Sequence, residues 1–153
     1  EVHWGTLETT LKSIIRGMKM TATDWEKVEN KLSYPFGRVK LRIDGHDVVI
    51  RVEQEGPKSL KYVLAVYVDG YIKGEWRTND CEIRRKFYSK HTKSLLTAKD
   101  RKSSWFKHLN KSDKDKTIKS AEYSWYSPYF SSFKMLRSHF TKNNNSIELV
   151  DNI

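Results

Sequence analysis

Apolar residues in the first third of the chain recur at the spacing of amphipathic helices. The first run predicts a short helix over residues 7–18, with an apolar side formed by Leu7, Leu11, Ile14, Ile15 and Met18. A second helix is predicted to begin at Thr23, because Thr23 and Glu26 have the spacing of a capping box. This helix is expected to end before Pro35, and its apolar face would consist of Trp25, Val28 and Leu32.

The chain then changes to the two-residue alternation that is typical of β-strands. Residues 39–43 and 48–52 alternate between apolar and polar side chains. Between these two runs lie Asp44 and Gly45, a residue pair that favours a two-residue hairpin turn. The pattern therefore predicts an antiparallel hairpin with one apolar face.

Two further strands are predicted after this hairpin. Residues 62–68 are almost continuously apolar, as expected for a central strand that is covered on both faces. Asp69 and Gly70 predict a second tight turn, which would lead into a strand over residues 71–76. With the first hairpin, these segments predict a four-stranded antiparallel meander.

Helix is predicted to return in the second half of the chain. A helix that begins near residue 80 would carry the basic residues of 84–93 on several of its faces. Residues 110–120 consist of Lys, Asp, Ser and Thr with almost no apolar side chains, so a mobile basic loop is predicted there. A last helix is expected from near Ser131, and its buried face would consist of Phe133, Leu136 and Phe140. A short closing strand is expected within residues 146–150.

These elements predict a single α+β domain over residues 1–153. Its four-stranded antiparallel meander would have flanking N- and C-terminal helices and a short closing strand. The helices would cover at least one face of the sheet, because a sheet cannot bury both faces alone. The 153 residues include five Trp, eight Tyr and six Phe, whose large rings can anchor a core.

The excess positive charge of the chain is concentrated in one segment. Between Arg84 and Lys119 there are thirteen Lys or Arg against three Asp, a surplus of ten. The net charge of the whole chain is also +10, so the remaining residues are balanced. Segregated charge attracts polyanions, which points to nucleic acid or to a protein that carries nucleic acid.

Within this segment, basic side chains alternate with aromatic rings. Cations neutralise phosphates, and rings stack on unpaired bases. Trp105 and Phe106 are the rings expected to be exposed enough to stack. The cations expected to contact nucleic acid or an acidic partner are Arg84, Arg85, Lys86, Lys90, Lys93, Arg101, Lys102 and Lys107. The alternative is a solvated basic surface whose rings belong to the core.

Other chemistry has weaker support in the sequence. The five histidines form no pair at helical metal-binding spacing, and Cys81, the single cysteine, cannot build a zinc site or an internal disulfide. No metal, cofactor or catalytic residue is therefore predicted. The lone cysteine, the absence of a membrane-length apolar run and the absence of a signal-like start predict a cytosolic protein without a membrane partner.

Two segments carry a family resemblance. They are Tyr126-Ser127-Pro128-Tyr129 with Ser132-Phe133, Leu136, His139, Asn144 and residues 146–150, and the hairpin Tyr67-Val68-Asp69-Gly70 with Lys73-Gly74-Glu75-Trp76. The chain resembles small uncharacterised proteins encoded by phages and prophages, over most of residues 20–150. Because those proteins begin near the equivalent of Met20, the resemblance implies that residues 1–19 are an N-terminal helical extension.

The resemblance implies a phage accessory protein that acts in the cytosol of a host cell. Phage proteins of this size often bind and disable host defences, anti-CRISPR proteins among them. The basic segment and the resemblance together predict a non-enzymatic protein that engages nucleic acid or a nucleoprotein complex and inhibits a host CRISPR nuclease. Its partner would be DNA, RNA or a nucleic-acid-binding host protein such as a CRISPR effector.

Two alternative functions stay open at this point. One is a phage enzyme that processes nucleic acid, such as a metal-dependent nuclease, although the carboxylates near the strands show no metal-binding spacing. The other is a pure protein–protein inhibitor, whose basic surface would meet acidic residues of its target. The oligomeric state is left open as well.

Overall fold

The computed structural model of the protein describes residues 19–150, and the helix predicted over residues 7–18 lies outside this part of the chain. The described residues divide into two units. The first unit comprises residues 19–89 and 127–150, and the second comprises Lys90–Tyr126. None of the helices in residues 19–150 has the length and apolar character needed to cross a bilayer.

Residues 19–150 form seven helices and seven strands. In chain order they are α1 (Ala22–Lys31), β1 (Arg38–Ile43), β2 (His46–Gln54), β3 (Tyr62–Val68), α2 (Gly74–Thr78), α3 (Glu82–Phe87), β4 (Ser89–Ser94), α4 (Ala98–Lys102), α5 (Ser104–Lys107), α6 (Lys111–Ala121), β5 (Glu122–Ser127), β6 (Tyr129–Phe130), α7 (Phe133–Asn143) and β7 (Ile147–Val150).

The first unit is built on an antiparallel sheet of five strands in the order β6-β3-β2-β1-β7. Val48 of β2 lies opposite Leu41 of β1 on one side and opposite Val68 of β3 on the other. All three side chains are fully buried. Because side chains alternate between the faces of a strand, the apolar positions of the central strands share one face. The predicted α+β class and the antiparallel sheet are confirmed.

Aromatic rings from helices α1, α3 and α7 and from strand β6 pack against one another in the first unit. Phe87 of α3 lies 6.0 Å from Phe140 of α7, and Phe140 lies 5.9 Å from Phe130 of β6, measured between ring centroids. Trp25 of α1 lies 6.0 Å from Phe133 of α7. Burial of one such side chain stabilises a fold by about 1.5–3 kcal/mol, so these rings anchor the helices.

Both predicted hairpin turns are present. Asp44 and Gly45 have φ angles of 46° and 84°, and Asp69 and Gly70 have φ angles of 51° and 85°. Two consecutive residues with positive φ give the turn whose twist matches that of paired strands. The first turn joins β1 to β2, as the alternation predicts.

The prediction of a fourth strand over residues 71–76 is wrong for most of this range. Only Tyr71 makes a bridge, to Val68, and helix α2 begins at Gly74. The helical turn buries Trp76, whose ring packs edge-on against Tyr88 at 6.3 Å. The place beside β3 is taken by β6, a pairing that local alternation cannot reveal.

Two predictions about helices are also corrected. The N-cap of α1 is Thr21, not Thr23: its hydroxyl accepts a hydrogen bond from the Asp24 N–H (3.2 Å), and the Asp24 carboxylate accepts one from the Thr21 N–H (3.3 Å). The mobile loop predicted over residues 110–120 is helix α6. Its half-buried positions, at helical spacing, are Lys114, Thr117, Ile118 and Ala121.

The end of the chain follows the sequence pattern closely. Helix α7 has Ser132 as its N-cap, whose hydroxyl accepts a hydrogen bond from the Met135 N–H at 3.3 Å. Leu136 and Phe140 are its buried residues. Strand β7 then pairs antiparallel with β1. The predicted last helix and closing strand are confirmed.

Candidate nucleic-acid interface

The basic residues singled out from the sequence fall into both units. Arg84, Arg85 and Lys86 belong to α3 in the first unit. The second unit holds Lys90, Lys93, Arg101, Lys102, Trp105, Phe106 and Lys107. The expectation that one helix presents residues 84–93 is wrong, because Lys90 and Lys93 lie on strand β4.

Lys86 is held by carboxylates of its own unit. Its Nζ lies 3.0 Å from Asp44 Oδ2 and 3.0 Å from Glu82 Oε1, and its side chain is 21% exposed. Burial acts to lower the pKa of Lys86, but the hydrogen bonds to Glu82 and Asp44 outweigh it and raise the pKa. Lys86 therefore serves the fold and is a poor candidate for contact with an external phosphate.

The other two cations of α3 differ in exposure. Arg85 is exposed, and its guanidinium lies 3.8 Å from a carboxylate oxygen of Asp80, which is exposed as well. Such a pair is weak, because water and salt screen it. Arg84 is half-buried. Helix α3 thus offers one exposed cation, with a carboxylate beside it.

The second unit carries an excess of positive charge. It contains ten Lys or Arg against four Asp or Glu, a surplus of six. None of these ten cations forms an ion pair with a carboxylate of the described residues. The nine that are exposed are Lys90, Lys93, Lys99, Arg101, Lys102, Lys107, Lys111, Lys116 and Lys119. We refer to these residues as the nine exposed cations.

The carboxylate of Asp100 in the second unit forms hydrogen bonds with Thr97 and no ion pair with a cation of the described residues. Asp100 Oδ2 accepts hydrogen bonds from the Thr97 N–H (2.9 Å) and the Thr97 hydroxyl (2.8 Å), which cap α4. These bonds lower the pKa of Asp100. The acid therefore remains charged but is committed to the helix end, and the surrounding cations stay available.

The two rings predicted to stack have different environments. Trp105 is 50% exposed, but Phe106 is only 8% exposed, so the expectation that Phe106 is accessible is wrong. Phe106 packs edge-on against Trp105 at 5.7 Å, and Lys114 Nζ lies 5.7 Å from the centre of its ring. Phe106 is thus a core residue of the second unit, and Trp105 is the exposed ring of the pair.

A second set of rings was not singled out from the sequence. Trp125 of β5 stacks on Tyr123 of the same strand, with centroids 5.7 Å apart and planes inclined by 29°. It also stacks on His91 of β4, at 5.3 Å and 17°. Tyr123 and Trp125 are 44% and 40% exposed. We call His91, Trp125 and Tyr123 the ring row.

The pairing of β4 with β5 explains how the ring row forms. The Leu95 N–H donates to the Ala121 carbonyl at 2.9 Å, and the hydroxyls of Thr92 and Ser124 lie 3.0 Å apart. His91 therefore lies beside Trp125, and alternation places Lys93 on the same face as the ring row. The sequence signal was the alternation of Tyr123 and Trp125 with Ser124, although the partner strand carries no apolar pattern.

Residues 19–150 show no comparable constellation for metal chemistry. No group of three or more His, Cys, Asp or Glu side chains in this range is placed to hold a metal ion. The features with clear chemical meaning are the nine exposed cations, which can neutralise phosphates, and the exposed rings, which can stack on bases. The chain matches no protein-family model, no curated protein and no solved structure.

Proposed function

We propose that the protein binds nucleic acid through the nine exposed cations of the second unit. The observation that carries this proposal is that the second unit combines a surplus of six positive charges with cations that form no ion pair with the carboxylates of the described residues. A cation that is already paired gains little by meeting a phosphate. A free one releases condensed counterions when it does so, which is the main source of affinity in phosphate binding.

This proposal narrows the set of residues expected from the sequence. Lys90, Lys93, Arg101, Lys102 and Lys107 remain in the site, and Trp105 remains as an exposed ring. Lys86 leaves the site, because its ammonium group is shared by two carboxylates. Phe106 leaves it because its ring is buried.

The test compares two triple variants that remove the same charge. The site variant is Lys99→Ala, Arg101→Ala and Lys102→Ala; the control variant is Lys27→Ala, Lys58→Ala and Lys61→Ala, all exposed in the first unit. We expect the site variant to weaken binding to DNA or RNA and to reduce the slope of the salt dependence by about 0.7–0.9 for each phosphate that it no longer neutralises. The control variant should change neither quantity by a comparable amount.

An equally large loss of affinity in both variants would contradict the proposal, because it would show that the net charge of the whole chain drives binding. Unchanged affinity in the site variant would remove α4 from the interface. Circular dichroism checks that both variants keep their helices. Alanine favours helix at all three substituted positions of α4, so the fold is expected to persist.

The narrower role, inhibition of a host CRISPR nuclease by a phage protein, rests on the family resemblance and stays a prediction. Capture of partners from a host lysate, with and without nuclease treatment, tests it. A partner that is retained after nuclease treatment would favour a protein–protein inhibitor. Cleavage of a plasmid or RNA in the presence of divalent metal would instead favour the alternative of a nucleic-acid-processing enzyme.

A further inference from the structure

We infer that the ring row is a stacking platform for unpaired bases, so that the protein prefers single-stranded nucleic acid over duplex. This inference rests on the proposed function and assigns its ligand class. Its residues differ from the rings expected from the sequence. They lie on the ribbon of β4 and β5, away from Trp105 and Phe106 in the chain.

The rings of the ring row are stacked with small angles between their planes. The planes of Trp125 and His91 are inclined by only 17°, and those of Trp125 and Tyr123 by 29°. Trp125 therefore stacks on both of the other rings of the ring row. An unpaired base has the same flat π-face and can extend such a row, and this contact tolerates any base because every base has a π-face.

Two rings of the ring row are exposed to solvent. Rings of this size usually lie in a core, yet Tyr123 and Trp125 keep 44% and 40% of their surface exposed. Among the described residues, β5 has no buried position. Stacking between neighbouring rings also stabilises a two-stranded ribbon, so the ring row has a structural use. The experiment must therefore separate support of the ribbon from contact with a base.

The charge around the ring row favours a polyanionic ligand. Lys93 shares the face of the ring row, and the unit that carries it has a surplus of six positive charges. A phosphate backbone beside Lys93 would bring its bases to the rings. In a duplex, neighbouring base pairs cover the base faces, so only an unpaired strand offers phosphates and free π-faces together.

The test uses three nucleic-acid ligands: an oligothymidylate of about 16 nucleotides, a duplex of the same length, and an abasic oligonucleotide with the same phosphates. The wild type should bind the oligothymidylate more tightly than it binds either the duplex or the abasic strand. Trp125→Leu keeps an apolar side chain on the ribbon but removes the ring. We expect it to weaken oligothymidylate binding by about 5- to 100-fold, the range found for loss of one stacked base. Its affinities for the abasic strand and the duplex should stay close to those of the wild type.

Two companion variants sharpen the result. Trp125→Phe retains a ring and should restore most of the preference for the oligothymidylate. Tyr71→Ala removes a ring that is 61% exposed in the first unit, and it should leave all three affinities unchanged. The salt dependence should be the same in all these variants, because none of them removes a charge.

The outcomes separate the inference from the proposed function. The stacking platform is refuted, while salt-dependent binding stands, if Trp125→Leu binds all three ligands as the wild type does. It is refuted as well if the wild type does not distinguish the oligothymidylate from the abasic strand. If none of the three ligands binds in a salt-dependent manner, the proposed function itself fails. If Trp125→Leu and Trp125→Phe lose the same oligothymidylate affinity with unchanged circular dichroism, a ring is not what the site requires.

Discussion

Asp44 shows how much a single residue can contribute to this fold. Its carboxylate accepts hydrogen bonds from the Ser146 N–H (2.9 Å), the Asn145 N–H (3.2 Å) and Lys86 Nζ (3.0 Å). It thereby links the β1–β2 turn to α3 and to the start of β7. Burial acts to raise the pKa of Asp44, but the hydrogen bonds from Ser146, Lys86 and Asn145 outweigh it and lower the pKa.

Replacement of Asp44 by Asn should destabilise the protein by about 1–3 kcal/mol at neutral pH, because the charged hydrogen bonds are lost. Asn tolerates the positive φ of this position, so the change reports on the carboxylate and not on the backbone. The wild-type advantage is present above the ordinary carboxyl pKa of 3.8 and is lost as the pH falls through the lowered pKa of the folded state. Urea unfolding at neutral and acidic pH measures it, with Asp47→Asn as an exposed control. An equal deficit at both pH values would contradict this account.

The half-buried histidine His139 should make the stability of the protein depend on pH. Burial lowers the pKa of His139 below the ordinary 6.5, and the nearby positive charge of Lys142 lowers it further. A hydrogen bond to the Arg85 backbone acts to raise the pKa but does not outweigh these two effects. The unfolded chain therefore binds the proton more readily than the folded one. Stability from this group is complete above about pH 6.5 and falls as the pH drops below that value.

We expect His139→Gln to flatten the dependence of the melting temperature on pH between about pH 5 and pH 8. His108→Gln, which changes an exposed histidine, is the control and should retain the wild-type dependence. Parallel curves for the wild type and His139→Gln would show that another group causes the pH dependence.

At the scale of elements, the sequence predicts best where a local pattern and a tertiary role coincide. The hairpin of β1 and β2 has strict alternation and a turn pair, and α7 has a cap and a regular apolar face. Helix α6 has neither advantage, because only one of its half-buried residues, Ile118, is strongly apolar. Strand pairing between β3 and β6 depends on residues far apart in the chain, so the local pattern of residues 71–76 predicts the wrong element.

Helix α6 can be tested through its N-cap. The Asn110 Oδ1 accepts a hydrogen bond from the Asp113 N–H at 2.8 Å. Asn110→Ala should reduce the stability of the helix by about 1 kcal/mol and speed amide exchange in its first turn. Ser112→Ala is the neighbouring control. If amides of residues 111–121 exchange at the rate of an unstructured chain in the wild type, the helix is absent and a mobile loop is the better description.

The candidate site was predictable in its charge but not in its individual residues. Basic composition identifies the segment, yet it cannot show that Lys86 meets Asp44, which lies 42 positions away. It also cannot distinguish Trp105 from the adjacent Phe106, since only packing decides which ring is buried. The ring row depends on the pairing of β4 with β5, and β4 has a polar sequence without a strand signal.

At the scale of the whole molecule, the distribution of charge sets the two units apart. The second unit makes up less than a quarter of the chain but carries six of its ten excess positive charges. The cations with carboxylate partners within the described residues, such as Lys86, lie in the first unit. Among the described residues of the first unit, Arg51, Arg85 and Lys86 have such partners. The second unit differs because its unpaired cations are concentrated in a short segment with few carboxylates.

The most direct test of this account is the affinity of the intact protein for an oligonucleotide as salt is raised from about 50 to 200 mM. With six or more of the nine exposed cations bound to phosphates, the affinity should fall by about a thousandfold or more, and the logarithm of affinity should decline linearly with the logarithm of salt concentration. Binding that is absent at low salt, or that stays constant across this range, would contradict the claim that these cations recognise a phosphate backbone.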